Sequence, residues 1–180
     1  LSDYYALAIH NFFASHFIGK KNSHGDNIEY ELHSALDFIE QGKRTPATPD
    51  GRYNGDEVSK NASPTIGMDT NGLTALIRSV TSLDLSVSDS GACLDCMIHP
   101  STVQGEEGTD ILYGVLNTYL SLGGASIHFN VFNSEMLKDA QANPDKYKNL
   151  QVRVCGWNAY FVNLSRAEQD AFIKQAEVLS

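Results

Sequence analysis

The 180-residue sequence has little basic charge and lacks a long hydrophobic run. Thirteen Lys and Arg residues stand against 22 Asp and Glu residues, which gives a formal net charge of −9. A chain this acidic is poorly suited to binding nucleic acid or an anionic membrane surface. No apolar stretch approaches the roughly 18 residues that span a bilayer, and the first residues contain no signal-peptide pattern. We therefore expect neither a nucleic-acid partner nor a membrane partner.

Cysteine is also scarce. Three cysteines, Cys93, Cys96 and Cys155, are too few for a disulfide framework, so a reducing, cytoplasmic setting is expected. Cys93 and Cys96 form a CxxC motif with His99 three residues further on, but zinc usually takes four ligands in two pairs, and a second pair is missing. We interpret the two cysteines as ordinary semi-buried thiols and expect no metal and no bound cofactor. A small metal protein that uses Cys93, Cys96 and His99 remains an alternative.

Hydrophobic periodicity predicts more helix than strand, in an α/β or α+β arrangement. Helices are predicted over residues 3–18, 28–41, 72–83, 108–122, from 134 to just before 144, and from 165 onward. Three of them have predicted caps: Gly42 after the second helix, residues 70–71 before the third, and a capping box at 165–168 at the start of the last. Strands are predicted over 125–132 and 151–155, and residues 42–69 form a long aperiodic loop. Two isolated strands make a poor sheet, so we expect them to complete a sheet that another part supplies.

One short segment carries the most specific signal. The residues Arg153-Val154-Cys155-Gly156-Trp157-Asn158 follow a predicted strand and precede Tyr160-Phe161. They resemble the glycyl radical loop of the glycyl radical enzymes, which include pyruvate formate-lyase and related dehydratases and lyases. That family has Arg-Val-(Ser/Ala/Cys)-Gly-(Tyr/Trp), then an aromatic-rich strand and a Glu/Gln-rich final helix.

Further motifs resemble the same family in the same order. They cover residues 46–178 and comprise 48–52 (TPDGR), 63–64 (SP) with 67–69 (GMD), 71–84, 99–101 (HPS), 123–124 (GG), 128–131 (HFNV), and 139–141 (DAQ) with 144–147 (PDKY). The resemblance implies the C-terminal part of a ten-stranded α/β barrel. Residues 1–45 are then a helical segment at the barrel periphery, and residues 46–180 are the glycyl radical domain.

The resemblance also implies the chemistry. Gly156 is the site of an organic radical, which a separate AdoMet radical activating enzyme installs. The radical passes to a catalytic cysteine on a larger chain that carries most of the barrel, and that cysteine attacks a small-molecule substrate in anaerobic metabolism. The reaction is a lyase, dehydratase or formate acetyltransferase-like step, and Cys-Gly-Trp-Asn favours the diverged lyases and dehydratases. Cys155 only neighbours the glycine and is not assigned the attacking role.

Glycine at position 156 also has a physical reason. A radical on a backbone Cα is stabilised when the centre is planar, and we expect a side chain there to crowd it and water to be excluded from it. A glycine needed only for a tight turn is the alternative. Because the chain alone is catalytically incomplete and starts without Met, we expect a split subunit, a cut piece, or a spare-part module that replaces a damaged radical domain of pyruvate formate-lyase.

Overall fold

The structure is a computed structural model that describes residues 2–88, 90–154 and 156–178, and of Ser2 only the backbone. The helices are Ser2–Phe17 (α1), Asp37–Lys43 (α2), Leu73–Val80 (α3), Gly105–Ser121 (α4), Ser134–Ala142 (α5) and Arg166–Glu177 (α6). The strands are Glu31–Leu32 (β1), Gly91–Ile98 (β2), Ser126–Val131 (β3), Gln151–Val154 (β4) and Trp157–Tyr160 (β5). None of the described helices has the length and apolar character that crossing a membrane requires.

A three-stranded parallel sheet organises the core. Its order is β1-β2-β3, and β2 is buried from Ala92 to Ile98. One face of the sheet packs on α3 and α4, where Ile77 and Tyr119 are buried. The other face packs on α5, α6 and the β4–β5 hairpin, with Leu137 and Phe172 in the core. A parallel strand that is covered on both faces is typical of α/β proteins.

The sequence did not reveal β2, and the reason is its composition. The strand reads Gly-Ala-Cys-Leu-Asp-Cys-Met-Ile and has no apolar–polar alternation, because both of its faces are buried. The expectation of two isolated strands was therefore wrong, since β3 pairs with β2, and β4 pairs with β5. The two strands that the sequence did predict are both present, as β3 and β4.

The helix predicted over residues 28–41 was also wrong. Glu31 and Leu32 instead form β1 and pair in parallel with the start of β2. Ala35 has a φ of +47°, which a right-handed helix cannot contain, and α2 begins only at Asp37. Gly42 lies inside α2 rather than after it. A Cβ there would lie 2.2 Å from the Asp56 carbonyl oxygen, so this glycine permits a close approach of two backbone segments.

The other predicted helices are present with shifted ends. The first predicted helix corresponds to α1, and α4 begins three residues before the predicted start, at Gly105. The N-caps of α3 and α5 are Gly72 and Asn133. The predicted capping box of α6 is confirmed, since the Ser165 side chain accepts from the Glu168 backbone and the Glu168 side chain accepts from the Ser165 backbone. The segment between α2 and α3 is an irregular loop, as predicted.

Candidate functional site

Gly156 lies in a two-residue loop at the tip of the β4–β5 hairpin. The two strands are antiparallel, and Val154 pairs with Trp157 across the loop. Gly156 has a φ of +98°, in the region that residues with a side chain rarely adopt. The hairpin therefore requires glycine at this position on conformational grounds. Cys155, the other loop residue, lies outside the described residues.

The residues of this chain that the structure describes leave Gly156 open. A Cβ built on Gly156 would meet no atom of the described residues within 4 Å, apart from Gly156 itself and its two chain neighbours, and Gly156 is exposed. Among the described residues nothing crowds Gly156 or shields it from water, so the expected crowding and exclusion of water have to come from the rest of the barrel. Within the described residues, position 156 is therefore constrained by its backbone angle and not by steric crowding.

The base of the hairpin is fixed to the parallel sheet by one buried side chain. The Asn130 side chain on β3 accepts a hydrogen bond from the Arg153 backbone N–H at 2.8 Å and donates one to the Arg153 carbonyl at 3.0 Å. Val152 and Val154 flank Arg153 and are buried. At the far end of the hairpin, the Phe161 N–H donates to the Leu150 carbonyl at 2.8 Å. The loop that carries Gly156 thus extends from a rigid base.

Polar side chains interact along one face of the hairpin, and two aromatic side chains of β5 are half-exposed. The Arg153 guanidinium donates to the Asn158 side-chain carbonyl at 3.1 Å, and the Asn158 amide donates to the Gln151 side-chain oxygen at 3.2 Å. Trp157 and Tyr160 are each 45% exposed. Trp157 follows Gly156 directly and is the register partner of Val154, whereas Tyr160 lies at the other end of β5 opposite Gln151, so the two rings lie on different faces of the hairpin.

The structure separates the three residues of the CxxC–His alternative. Cys93 packs in the core cluster beneath the hairpin, whereas Cys96 packs in the cluster on the opposite sheet face. His99 is partly exposed, lies in a turn and contacts the Ser101 hydroxyl at 2.7 Å. The three residues therefore do not form one metal site. Burial raises the pKa of the Cys96 thiol strongly, so Cys96 is a poor nucleophile and a poor metal ligand.

Two features of the site region were missed from the sequence. Asn130 and His128 are two residues apart on β3 and share one face, but the sequence did not indicate their partners. Because β2 was not predicted, nothing indicated that Cys93 and Asp95 lie on one face of that strand. On that face the Cys93 sulfur is 3.0 Å from His128 Nδ1. The period-two spacing of Cys93 and Asp95 was the signal that could have revealed this.

Comparisons with known proteins identify the family of the chain. A family model described as "Glycine radical" matches residues 58–162. The chain is 37% identical over 169 residues to trans-4-hydroxy-L-proline dehydratase of Clostridioides difficile, and 42% identical over 138 residues to the 4-hydroxyphenylacetate decarboxylase glycyl radical subunit of the same species. These matches cover 94% and 76% of this chain but only 21% and 15% of the relatives.

Solved structures give the same result for the fold. A Roseburia inulinivorans structure described under 1,2-propanediol dehydration superposes with a TM-score of 0.92 at 34% identity. The match covers 96% of this chain and 22% of that one, so the chain spans about a fifth of its structural relative. The matched family model covers more than half of the chain and includes the β4–β5 hairpin with Gly156. The chain belongs to the glycyl radical enzyme family.

Proposed function

We propose that Gly156 stores the organic radical of a glycyl radical enzyme. The observation that carries this proposal is the glycine with a φ of +98° at the tip of a hairpin whose base is held by Asn130. An AdoMet radical activating enzyme removes one hydrogen atom from the Gly156 Cα, and that atom ends on the 5′-deoxyadenosyl group. The remaining unpaired electron is shared with the flanking amide nitrogen and carbonyl, so the radical persists without a bound cofactor.

The stored radical then serves a catalytic cysteine outside this chain. The Gly156 Cα takes a hydrogen atom from the cysteine S–H, which leaves a thiyl radical on sulfur and an intact glycine. The thiyl radical takes a hydrogen atom from a small-molecule substrate, and the hydrogen returns after the reaction. Because this transfer needs contact between the two groups, the exposed hairpin tip has to lie inside the rest of a ten-stranded barrel.

Two exposed surfaces support the proposal that this chain packs against a larger partner or the rest of a longer chain. Gly156 itself is exposed, and α1 exposes Tyr4, Tyr5, Ile9 and Phe12 at 58–69%. Exposed apolar patches of this kind mark interaction sites in soluble proteins. We infer that the rest of the barrel covers both, with residues 1–45 at its periphery and residues 46–180 as the radical domain. The low cysteine count favours a cytoplasmic location.

We infer the class of reaction from the names of the relatives. Their names describe dehydratases, decarboxylases and a sulfite-lyase, each of which breaks a carbon–heteroatom or carbon–carbon bond. We infer a lyase or dehydratase reaction rather than a formate acetyltransferase reaction. A spare-part module for pyruvate formate-lyase is less favoured, because residues 1–45 are integrated into the fold. His10 contacts the Asp84 carbonyl at 2.8 Å, and β1 pairs with β2.

Controlled exposure to air tests the proposal. The chain, together with the rest of its barrel, is activated anaerobically by an AdoMet radical activating enzyme and then exposed to oxygen. We expect oxygen to break the backbone at Gly156 and to release a long fragment that ends near residue 155 and a short C-terminal fragment. Mass spectrometry identifies both fragments. A chain that stays whole in air, after a radical has been verified, contradicts the assignment of Gly156.

A further inference from the structure

A buried cluster of three possible metal ligands lies on the sheet face beneath the hairpin. Cys93 and Asp95 are two residues apart on β2, so both point to the same face. His128 is the register partner of Asp95 on β3. One ligand atom from each of the three residues lies within 4.8 Å of the others. Asp95 is 1% exposed and Cys93 8% exposed, whereas the His128 side chain is 16% exposed, so the cluster is mostly buried and reaches solvent at His128.

The contacts of His128 distinguish this cluster from a catalytic triad. In a triad, the nucleophile and the carboxylate lie on opposite ring nitrogens of the histidine. Here the same nitrogen, Nδ1, lies 3.0 Å from Cys93 Sγ and 3.6 Å from Asp95 Oδ1. Sulfur, nitrogen and oxygen therefore converge on one region, as ligands do around an ion.

The second observation is an unsatisfied oxygen. Asp95 Oδ1 is buried and accepts no hydrogen bond from any residue that the structure describes. The other oxygen, Oδ2, accepts from the Asn61 side-chain amide at 2.5 Å and lies 3.6 Å from Lys60 Nζ. A buried polar atom without a partner is costly. The oxygen that lacks a hydrogen bond is the one that faces His128 Nδ1 at 3.6 Å and lies near Cys93 Sγ.

We propose that Cys93, Asp95 and His128 bind a divalent cation of the zinc type through Sγ, Oδ1 and Nδ1. Thiolate, carboxylate and imidazole are all ligands of such ions, and three protein ligands leave a fourth position for water. On binding, the Cys93 S–H bond breaks, the proton goes to solvent and the sulfur lone pair binds the metal. A tetrahedral ion with Zn–S of about 2.3 Å and Zn–N of about 2.0 Å separates S and N by about 3.5 Å. Cys93 Sγ therefore moves away from His128 by about half an ångström.

Lys60 sets the strength of the proposed site. The thiolate and the carboxylate balance the two positive charges of the ion, so the buried Lys60 ammonium leaves one positive charge in excess. We therefore expect weaker binding than at a structural zinc site with four protein ligands. Because the ligands come from β2 and β3, an ion there joins the two strands beneath the hairpin and raises the melting temperature of the chain.

The test uses Co²⁺ and Zn²⁺ on the full chain and does not depend on radical chemistry. We expect one equivalent of Co²⁺ to produce a thiolate-to-metal charge-transfer absorption that Zn²⁺ and a chelator each remove. Cys93→Ser should abolish this absorption, and both Cys93→Ser and His128→Gln should lower Zn²⁺ affinity by more than about 100-fold. Circular dichroism establishes that each variant is folded.

Cys96→Ser and Cys155→Ser are the matched controls. Cys96 lies on the same strand as Cys93 but on the opposite face, so its replacement should leave Zn²⁺ affinity and the absorption unchanged. If a variant fails to fold, Co²⁺ binding by the unsubstituted chain tests the proposal. A parent that binds no Co²⁺, or binds it without thiolate absorption, overturns the proposal, and so does an absorption that is lost with Cys96 or Cys155 but not with Cys93.

Discussion

Individual glycines in this chain are required for different physical reasons. Gly156 has a left-handed backbone and open space around its Cα. Gly124 lies just after α4, and a Cβ there would lie 2.4 Å from the ring of Tyr119. Tyr119 is fully buried, and its hydroxyl donates to the Ser126 carbonyl at 3.0 Å. The ring therefore cannot move aside, so Gly124 is a packing residue whereas Gly156 is a conformational one.

Replacing Gly124 by alanine should destabilise the chain. The new methyl group overlaps the Tyr119 ring, which costs about 1–3 kcal/mol in the free energy of unfolding. Gly114→Ala is the control, since Gly114 lies within α4 and a Cβ there meets no atom within 4 Å. That control should stabilise the chain by about 0.5–1 kcal/mol, because alanine is the better helix former. Urea unfolding measures the change in the free energy of unfolding for both variants. Equal changes in Gly124→Ala and Gly114→Ala would contradict the packing role of Gly124.

At the scale of elements, the hairpin depends on one side chain from β3. Asn130 is buried and makes both of its hydrogen bonds to the backbone of Arg153, two residues before the loop. Val152 and Val154 bury their side chains on either side of that contact. The position of Gly156 relative to the sheet is thus determined by Asn130.

Asn130→Ala should loosen the hairpin. The substitution removes both hydrogen bonds to the Arg153 backbone, and at about 0.5–1.5 kcal/mol for each bond we expect a loss of about 1–3 kcal/mol in the free energy of unfolding. Hydrogen exchange at the β4–β5 amides should accelerate with it. Asn158→Ala is the control on the same hairpin, because Asn158 is exposed and its loss should change stability by less than about 0.5 kcal/mol. Unchanged exchange in Asn130→Ala would show that the hairpin is held elsewhere.

Asp139 gives the connection after α5 a dependence on pH. Hydrogen bonds from Lys146 at 2.7 Å, Tyr147 at 2.5 Å and Asn143 at 2.7 Å lower the pKa of Asp139 to about 2. An aspartate in the unfolded chain has a pKa of about 3.9. Since the folded pKa is the lower one, this stabilisation is present above about pH 4 and is lost as the pH falls toward 2.

Asp139→Asn should remove that part of the acid sensitivity. The variant should unfold more readily than the parent at pH 7, and the difference between them should shrink as the pH falls from about 4 toward 2. Tyr147→Phe removes one donor and should have an intermediate effect. Urea unfolding at pH 7, 4 and 2.5 provides the measurement. A difference between parent and Asp139→Asn that stays constant across this range would contradict the role of Asp139.

The sequence predicted elements with one buried face better than elements buried on both. The alternation in β3 and the capping box of α6 were readable because each element has a solvent side. The apolar run of β2 has no solvent side, so it shows no alternation. The two-residue strand β1 forms only through its pairing with β2. For the same reason Gly156 could be proposed as the radical site from its local motif, whereas the contacts of Asn130 and Asp95 could not be predicted. Those contacts join residues that are distant in sequence and depend on how the strands pair.

On the scale of the whole molecule, the chain has faces that its own residues do not cover. The helix α1 buries His10 and Ala14 against the rest of the fold but leaves Phe12 and Phe13 58% and 46% exposed. The chain spans between 15% and 22% of the relatives and solved structure described above. The proposed barrel accounts for both facts, because it supplies the missing length and covers the apolar face.

Changing the exposed face of α1 should therefore affect association but not folding. We expect Phe12→Ser with Phe13→Ser to leave the stability of the chain within about 0.5 kcal/mol. The same pair should weaken binding to a chain that carries the rest of the barrel by about tenfold or more. His10→Ala, on the buried face, should do the reverse and lower stability, since it removes the contact with the Asp84 carbonyl. Calorimetry and binding measurements separate these effects, and undiminished binding by the Phe variant would contradict the proposed docking face.

The most direct measurement is electron paramagnetic resonance of the chain with the rest of its barrel, after anaerobic activation by an AdoMet radical activating enzyme. We expect an organic-radical signal split into a doublet by the one hydrogen left on Gly156, and collapse of that doublet when glycine is supplied deuterated at Cα. Gly156→Ala should remove the signal, whereas Gly123→Ala should keep it. Gly123 has a φ of +88° and equally open surroundings, so both variants carry a similar backbone strain of about 1–2 kcal/mol. A doublet that survives in Gly156→Ala, or that does not respond to deuterated glycine, would contradict the assignment of the radical to Gly156.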